Sequence, residues 1–476
     1  MAAPVPSTST VAPTTSTTPL PPALGWTPCA GGHQCATLDV PLDHGAPSGP
    51  HIGIALIRRP AGKPGARLGS VVINPGGPGE SGLLNFDKDL SLMPAAVVER
   101  FDVVGFDARG IGQSSPLHCA DATSATQAAA TTAGPDPVPQ TAASQQAALE
   151  ADRAYADACA HFSGASLLAH VGSTDVAHDL EVLRAALGDR ALSFVGLSYG
   201  TLLGATYADL FPSRVRAMVL DGIYDPSLST DDVADAQAAG FERSLDAFLA
   251  WCQEAGNGCG WSPGSDAHRA YRDLAAALRA KPLGPLGVGE LDTAVFGTLY
   301  ARNWWPSLGR AIGAASRGDG AALLALYNGY QHTGDPSFSS EANSAVTCLD
   351  HPVSRDPASY PARARMAAAV APDFGALFAW AEMACAVWPV PPSVIRVPHR
   401  IQAPGSGPIL VVGTRNDPAT PYSWAGSLAG QLQHAGLLTR EGVDHVALFY
   451  SNCVRDAAAS VLIELRLPPA GAVCAS

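Results

Sequence analysis

The chain has 476 residues, 47% apolar and only 15% charged, a composition that excludes a disordered or fibrous protein and leaves ample material for a large core. Its formal net charge is −13 and no Lys/Arg cluster appears, so a polyanion such as nucleic acid is not an expected partner. No stretch approaches the ~18 continuous apolar residues of a membrane-spanning helix.

The N-terminus, residues 1–23, is almost wholly Ala, Pro, Ser, Thr and Val. It lacks the basic and Leu-rich regions of a secretory leader and reads as a flexible tether of a chain whose leader is absent. His51–Ile57 alternates partly and predicts an antiparallel edge strand. Short β-branched runs then end in Gly/Pro turns at Ser70–Asn74, Phe101–Phe106, Leu192–Gly196 and Arg216–Leu220. Two more follow much later, Pro408–Val412 and the weaker Gly436–Arg440. Helical spacing marks Ser173–Leu187, with Ser173 or Thr174 as N-cap, and Thr201–Leu210, stopped by Phe211-Pro212. Strand alternating with helix implies a mostly parallel sheet with helices on both faces.

From about Pro226 to Pro408 the rhythm breaks into amphipathic helices such as Asp235–Trp251 and Ala267–Ala280. An inserted, mainly helical cap between two strands of one sheet is expected. The division is residues 24–226 for the first part of an α/β core, 227–395 for the cap and 396–476 for the rest of the core. The stretch Ala120–Gln146 reads as a surface excursion.

Ten cysteines, none in CxxC spacing, form five consecutive pairs: Cys29–Cys35, Cys119–Cys159, Cys252–Cys259, Cys348–Cys385 and Cys453–Cys474. Short loops are the simplest to close. Disulfides imply an oxidising compartment, whereas ten buried thiols would imply the cytosol.

The chemistry is carried by Gly196-Leu-Ser198-Tyr-Gly200, a G-x-S-x-G turn between a buried strand and a helix. Such a turn exposes the Ser198 hydroxyl at the carboxyl edge of the sheet, above a helix N-terminus that favours negative charge. The loop Asn74-Pro-Gly-Gly-Pro-Gly-Glu-Ser-Gly82 can aim backbone N–H groups at an oxyanion. Gly76 or Gly77, with Tyr199, are the candidate donors. After the nucleophile in this fold order come an acid and a histidine, each at a strand end. Asp417 follows Ile409–Val412, and His445 follows the last predicted strand. Asp417 would orient the imidazole and His445 would take the serine proton. Competitors are His178, which lies in a helix before the nucleophile, and Asp221 and Asp225 beyond Leu220; Asn416 is an amide and cannot serve. Arg109, in Phe106–Ser115, reads as part of a turn held with Asp107. No metal or organic cofactor is required.

As a set, Asn74–Gly82, Phe106–Ser114, Gly196–Gly200, Gly413–Pro421 and Gly442–His445 resemble the secreted actinobacterial tripeptidyl aminopeptidases, relatives of the prolyl aminopeptidases. Gly25–Cys29 with Cys35–Asp43, Leu220–Gly222 and Cys385 with Trp388-Pro389 extend the likeness across Leu24 to Cys474, most weakly in the cap. The resemblance implies a secreted or cell-wall-associated serine exopeptidase acting on peptides with a free N-terminus. A cap carboxylate, Asp350 or Glu341, would meet the substrate ammonium. The chain departs from the family at Asp444, where glycine usually precedes the histidine; a carboxylate there would raise the imidazole pKa or narrow the leaving-group side. The rival readings are a carboxylesterase or small-amide hydrolase on the same machinery, and a non-catalytic cell-surface binding protein.

Overall fold

The computed structural model describes residues 24–120, 133–255, 258–331 and 335–475. The expected tether and part of the Ala120–Gln146 excursion lie outside them. Ten strands form one sheet: β1 (Thr27–Pro28), β2 (Gln34–Pro41), β3 (His51–Arg59), β4 (Gly69–Asn74), β5 (Phe101–Phe106), β6 (Leu192–Leu197), β7 (Val215–Asp221), β8 (Ile409–Thr414), β9 (Ala435–Arg440) and β10 (Val473–Cys474). Their order is β1-β2-β3-β5-β4-β6-β7-β8-β9-β10. From β5 to β10 the pairing is parallel, and β1–β3 are antiparallel.

β4, β5, β6 and β8 are buried at every residue, as apolar β-branched runs sandwiched between helices must be. Helix Gly200–Leu210 is buried on nearly all sides because it fills the space between the sheet and helix Ser173–Ala186. The expected mostly parallel, doubly covered sheet is therefore present, with two corrections. β3 is antiparallel but not at the edge: β2 and β1 lie outside it. β2 carries Asp39 and Pro41 and lacks a clean apolar alternation. The N-cap of helix Ser173–Ala186 is Gly172, not Ser173 or Thr174. The Asp350 carboxylate accepts from the Ser173 N–H (3.0 Å) and Ser173 Oγ (2.7 Å), supplying the cap from far along the chain.

Between β7 and β8 the described chain is helical, starting at Thr230. This segment has its own core, built on Phe241, Phe248, Trp261, Trp305 and Leu308. Five disulfides join the consecutive cysteines. Cys348–Cys385 ties two helices of the inserted segment together, and Cys453–Cys474 fixes β10 to helix Asn452–Glu464.

Arg109 is fully buried. Its guanidinium donates to Asp179 Oδ1 and Oδ2 (2.6 and 2.7 Å) and to the carbonyls of Pro41, Leu42 and His170. Asp107 separately accepts from Ser81 Oγ and the N–H groups of Leu83 and Gln113. Both residues thus pin loops to the sheet. Arg109→Met should strand the Asp179 charge and cost about 3–5 kcal/mol, read as a lower denaturant midpoint; a change below about 1 kcal/mol would contradict this role.

Candidate active site

Parallel strands deliver their carboxyl ends, and the loops after them, to one rim. Here the loops after β4, β6, β7, β8 and β9 converge there. Ser198 follows β6 at φ 53°, a left-handed conformation that a serine adopts only when its surroundings enforce it. Its N–H donates to the Asp221 carbonyl (2.9 Å), and its carbonyl accepts from the Thr201 N–H (2.8 Å). Gly200 opens the next helix because a Cβ there would come within 2.7 Å of Asn74 Oδ1.

Asp417 is buried, in the turn after β8. Its Oδ1 accepts from the N–H groups of Ala419 and Thr420 (both 2.9 Å), and its Oδ2 from Thr420 Oγ1 (2.9 Å). His445 Nδ1 lies 2.9 and 3.0 Å from the two Asp417 oxygens, and 3.2 Å from Thr420 Oγ1. Burial alone would lower the imidazole pKa, but the charge and hydrogen bond of Asp417 outweigh it and the net shift is upward. The Nε2 face is buried and finds no hydrogen-bond partner among the described residues. Ser198 and His445 line the same cavity.

Gly76 and Gly77 both have positive φ, 101° and 99°. The Gly76 N–H is committed to Asn74 Oδ1 (3.1 Å), and a Cβ there would collide with the Leu197 carbonyl oxygen. Gly77, in contrast, lines the cavities beside Ser198. Gly76 therefore shapes the approach to the turn, and Gly77 and Tyr199 both line the space beside Ser198.

Two chambers meet at Ser198. The larger, about 820 Å³, is walled by Glu80, Asp89, Trp304, Tyr330 and His445; the smaller, about 310 Å³, by Tyr199, Tyr224, His351, Glu382 and Thr420. Tyr300 and Gly77 border both.

The two carboxylates expected to meet a substrate amine are not among the lining residues. Asp350 is buried with its oxygens engaged by Ser173 and by the Tyr199 hydroxyl (2.5 Å), so it ties the nucleophile turn to the inserted helices. Glu341 faces the hydroxyls of Ser339 and Ser340 at 3.3 Å. His178 stacks on His44 and abuts Phe211, and the Asp225 carboxylate holds Ser227 and Gln431, so neither competitor reaches the site. Asp221 accepts from the N–H groups of Ala447 and Leu448 (3.1 and 2.7 Å) and supports the His445 loop from below.

Sequence reasoning missed Thr420, Glu382 and Glu80. Thr three residues after Asp is a turn pattern that gives a signal for the first. Glu382 sits in the turn between helices Gly375–Ala381 and Met383–Ala386, just before the Cys385 and Trp388-Pro389 motif, and only the fold brings it to the smaller chamber.

A family model described as alpha/beta hydrolase fold matches residues 69–451. The chain belongs to the α/β-hydrolase family and is a serine hydrolase. It is 37% identical to Serine protease Hip1 of Mycobacterium tuberculosis, over 95% of this chain and 92% of that protein. It is 34% identical to Carboxylesterase B of the same species, over 93% and 86%. It is also 30% identical to the Tripeptidyl aminopeptidase of Streptomyces lividans, over 95% and 86%, in line with the resemblance read from the motifs.

With His445 as base, only the neutral ring takes up a proton. Its raised pKa places the acid limb of kcat/KM, measured on 4-nitrophenyl acetate, at a midpoint above 6.5. A midpoint below 6.5 would contradict the electrostatics described here.

Proposed function

We propose that the protein is a serine exopeptidase that releases short peptides, tripeptides foremost, from free N-termini. Ser198 Oγ attacks the scissile carbonyl while His445 Nε2 takes its proton, and Asp417 holds the imidazolium. The N–H groups of Gly77 and Tyr199 receive the oxyanion. His445 then protonates the leaving amine, and water, deprotonated by the same nitrogen, hydrolyses the Ser198 ester. Residues 227–395 act as the cap that closes the far end of the site. The five disulfides support a secreted or cell-wall-associated location.

The observation that favours a free amine is Glu382. Its side chain is 10% exposed, it lines the smaller chamber, and its Oε1 has no hydrogen-bond partner among the described residues. The nearest cation, Arg363, stands 3.9 Å away and donates instead to Asp231 and Asp235. Burial pushes the carboxyl up to about 8. A buried acid beside the nucleophile suits an ammonium, which restores its charge and satisfies its hydrogen bonds. The name of the 30% identical Streptomyces relative points the same way.

Tripeptidyl-4-nitroanilides with free and acetylated N-termini test the reading. The free form should be strongly preferred, and equal turnover would replace the exopeptidase with the esterase reading, to which the 34% identical relative's name corresponds. Failure of a fluorophosphonate to label the enzyme at all would instead favour a binding role.

Glu382→Gln should cut the free-over-blocked preference by about 10–100-fold, the worth of one charged hydrogen bond of ~1.5–3 kcal/mol. The pH dependence follows from one proton shared by the pair. Below about 7 both the carboxyl, at about 8, and the α-amine, at ~7.7–8.0, are protonated and docking weakens. KM for the free-amine substrate should therefore be lowest near 8 and rise on acidification, with the variant lacking that rise.

A further inference from the structure

Each loop of the site is fastened to the inserted helices. Asn343 Nδ2 donates to the Pro78 carbonyl (2.8 Å) in the glycine loop, and Gln237 Nε2 to the Ala419 carbonyl (2.8 Å) beside Asp417. The His445 loop is held more tightly, from two sides. The His445 N–H donates to the Tyr300 carbonyl (2.9 Å), and the Arg302 N–H donates to Asp444 Oδ1 (2.9 Å). The second Asp444 oxygen accepts from Arg440 Nη2 (3.0 Å) at the end of β9. Asp444 and Arg440 are 13% and 6% exposed, so the pair is largely shielded from water. On the other side, Val446 has φ 62°, unusual for a β-branched residue, and Asp221 fixes the two N–H groups beyond it.

Both Asp444 oxygens are thus taken by Arg302 and Arg440. The charges that act on His445 belong to Asp417, Asp221 and Glu80. Its partner segment, 300–304, contains two of the aromatic residues that line the chambers. Tyr300 meets the His445 ring edge-on at 5.4 Å, and Trp304, half exposed, walls the larger chamber. Meanwhile His445 Nε2 has no partner among the described residues.

We infer that Asp444 is a positioning residue: it couples the cap turn 300–304 to the loop carrying His445, so that seating of the cap on a substrate sets the imidazole against Ser198. This rests on the reading of His445 as the base. It explains what a carboxylate does where the resembling family usually has glycine. A glycine there keeps the His445–Tyr300 backbone bond but loses the second fastening to Arg302.

Three variants test it on 4-nitrophenyl acetate, which is too small to fill either chamber, and on a tripeptidyl-4-nitroanilide. Asp444→Ala should lower kcat about 10–100-fold on the tripeptidyl-4-nitroanilide, the loss expected from a displacement of about an ångström, with KM changing less than about threefold, and should lower it less on 4-nitrophenyl acetate, which does not seat the cap. Asp444→Asn keeps an oxygen for the Arg302 N–H and should recover kcat to within about fivefold of wild type. Arg302→Pro removes the N–H from the cap side without touching the histidine loop, at the first position of a turn where proline is tolerated. It should reproduce the kcat loss even if Asp444→Ala folds poorly. Unchanged kcat in Asp444→Ala or Arg302→Pro, or an effect confined to KM, would overturn the inference. An Asp444→Asn variant as impaired as Asp444→Ala would also overturn it, by placing the effect in the Arg440 pair. A His445→Ala variant that retained turnover would instead remove the base reading itself.

Discussion

A serine held at positive φ between a buried strand and a buried helix is the constraint on which the site depends. The strain is supportable because everything around Ser198 is fixed. β6 lies between β4 and β7 in the middle of the sheet, Asp221 takes the Ser198 N–H through its carbonyl, and Gly200 lets the helix approach Asn74. That geometry places Ser198 at the rim, where both chambers meet. The same rim receives Asp417 and His445, because parallel strands all end there. Remove the parallel order, and these three side chains have no reason to meet.

Much of this was legible from sequence, because the deciding interactions are local. Apolar runs bounded by glycine and proline mark buried strands wherever they occur, and the turn at Gly196–Gly200 needs its residue types whatever the rest of the chain does. Asp417 and His445 were read from chain order plus strand ends, and their side chains lie within hydrogen-bond distance of each other. The remainder depended on contacts between distant segments. Gly76 and Gly77 look equivalent as letters, and only the Asn74 side chain distinguishes them. Asp350 reads as a plausible amine ligand until its partners, Ser173 and the Tyr199 hydroxyl, are seen. Those same bonds displaced the expected helix cap at Ser173. Glu382 carries no motif, and its significance comes only from burial beside the smaller chamber.

Buried carboxylates are the recurrent device, and each does something different. Asp417 orients a ring. Asp221, pushed up to about 6 by burial and opposed by two backbone N–H groups, supports the loop beyond that ring. Asp350 fastens the Ser198 turn to the inserted helices, Asp444 fastens the histidine loop to the turn at 300–304, and Glu382 lines the smaller chamber with one oxygen that has no hydrogen-bond partner among the described residues. Burying so many acids is tolerable only when each has donors or a use, because an unpaired buried charge is strongly destabilising. The inserted helices are thus bonded to the loops at the sheet's rim at several points.

The central claim is that Ser198 is the group that becomes acylated. Intact-protein and peptide mass spectrometry after brief exposure to a fluorophosphonate tests it most directly. The account predicts one adduct per chain, mapped to the peptide containing Ser198 and absent in Ser198→Ala. An adduct at another residue, or labelling that survives the Ser198→Ala substitution, would contradict it.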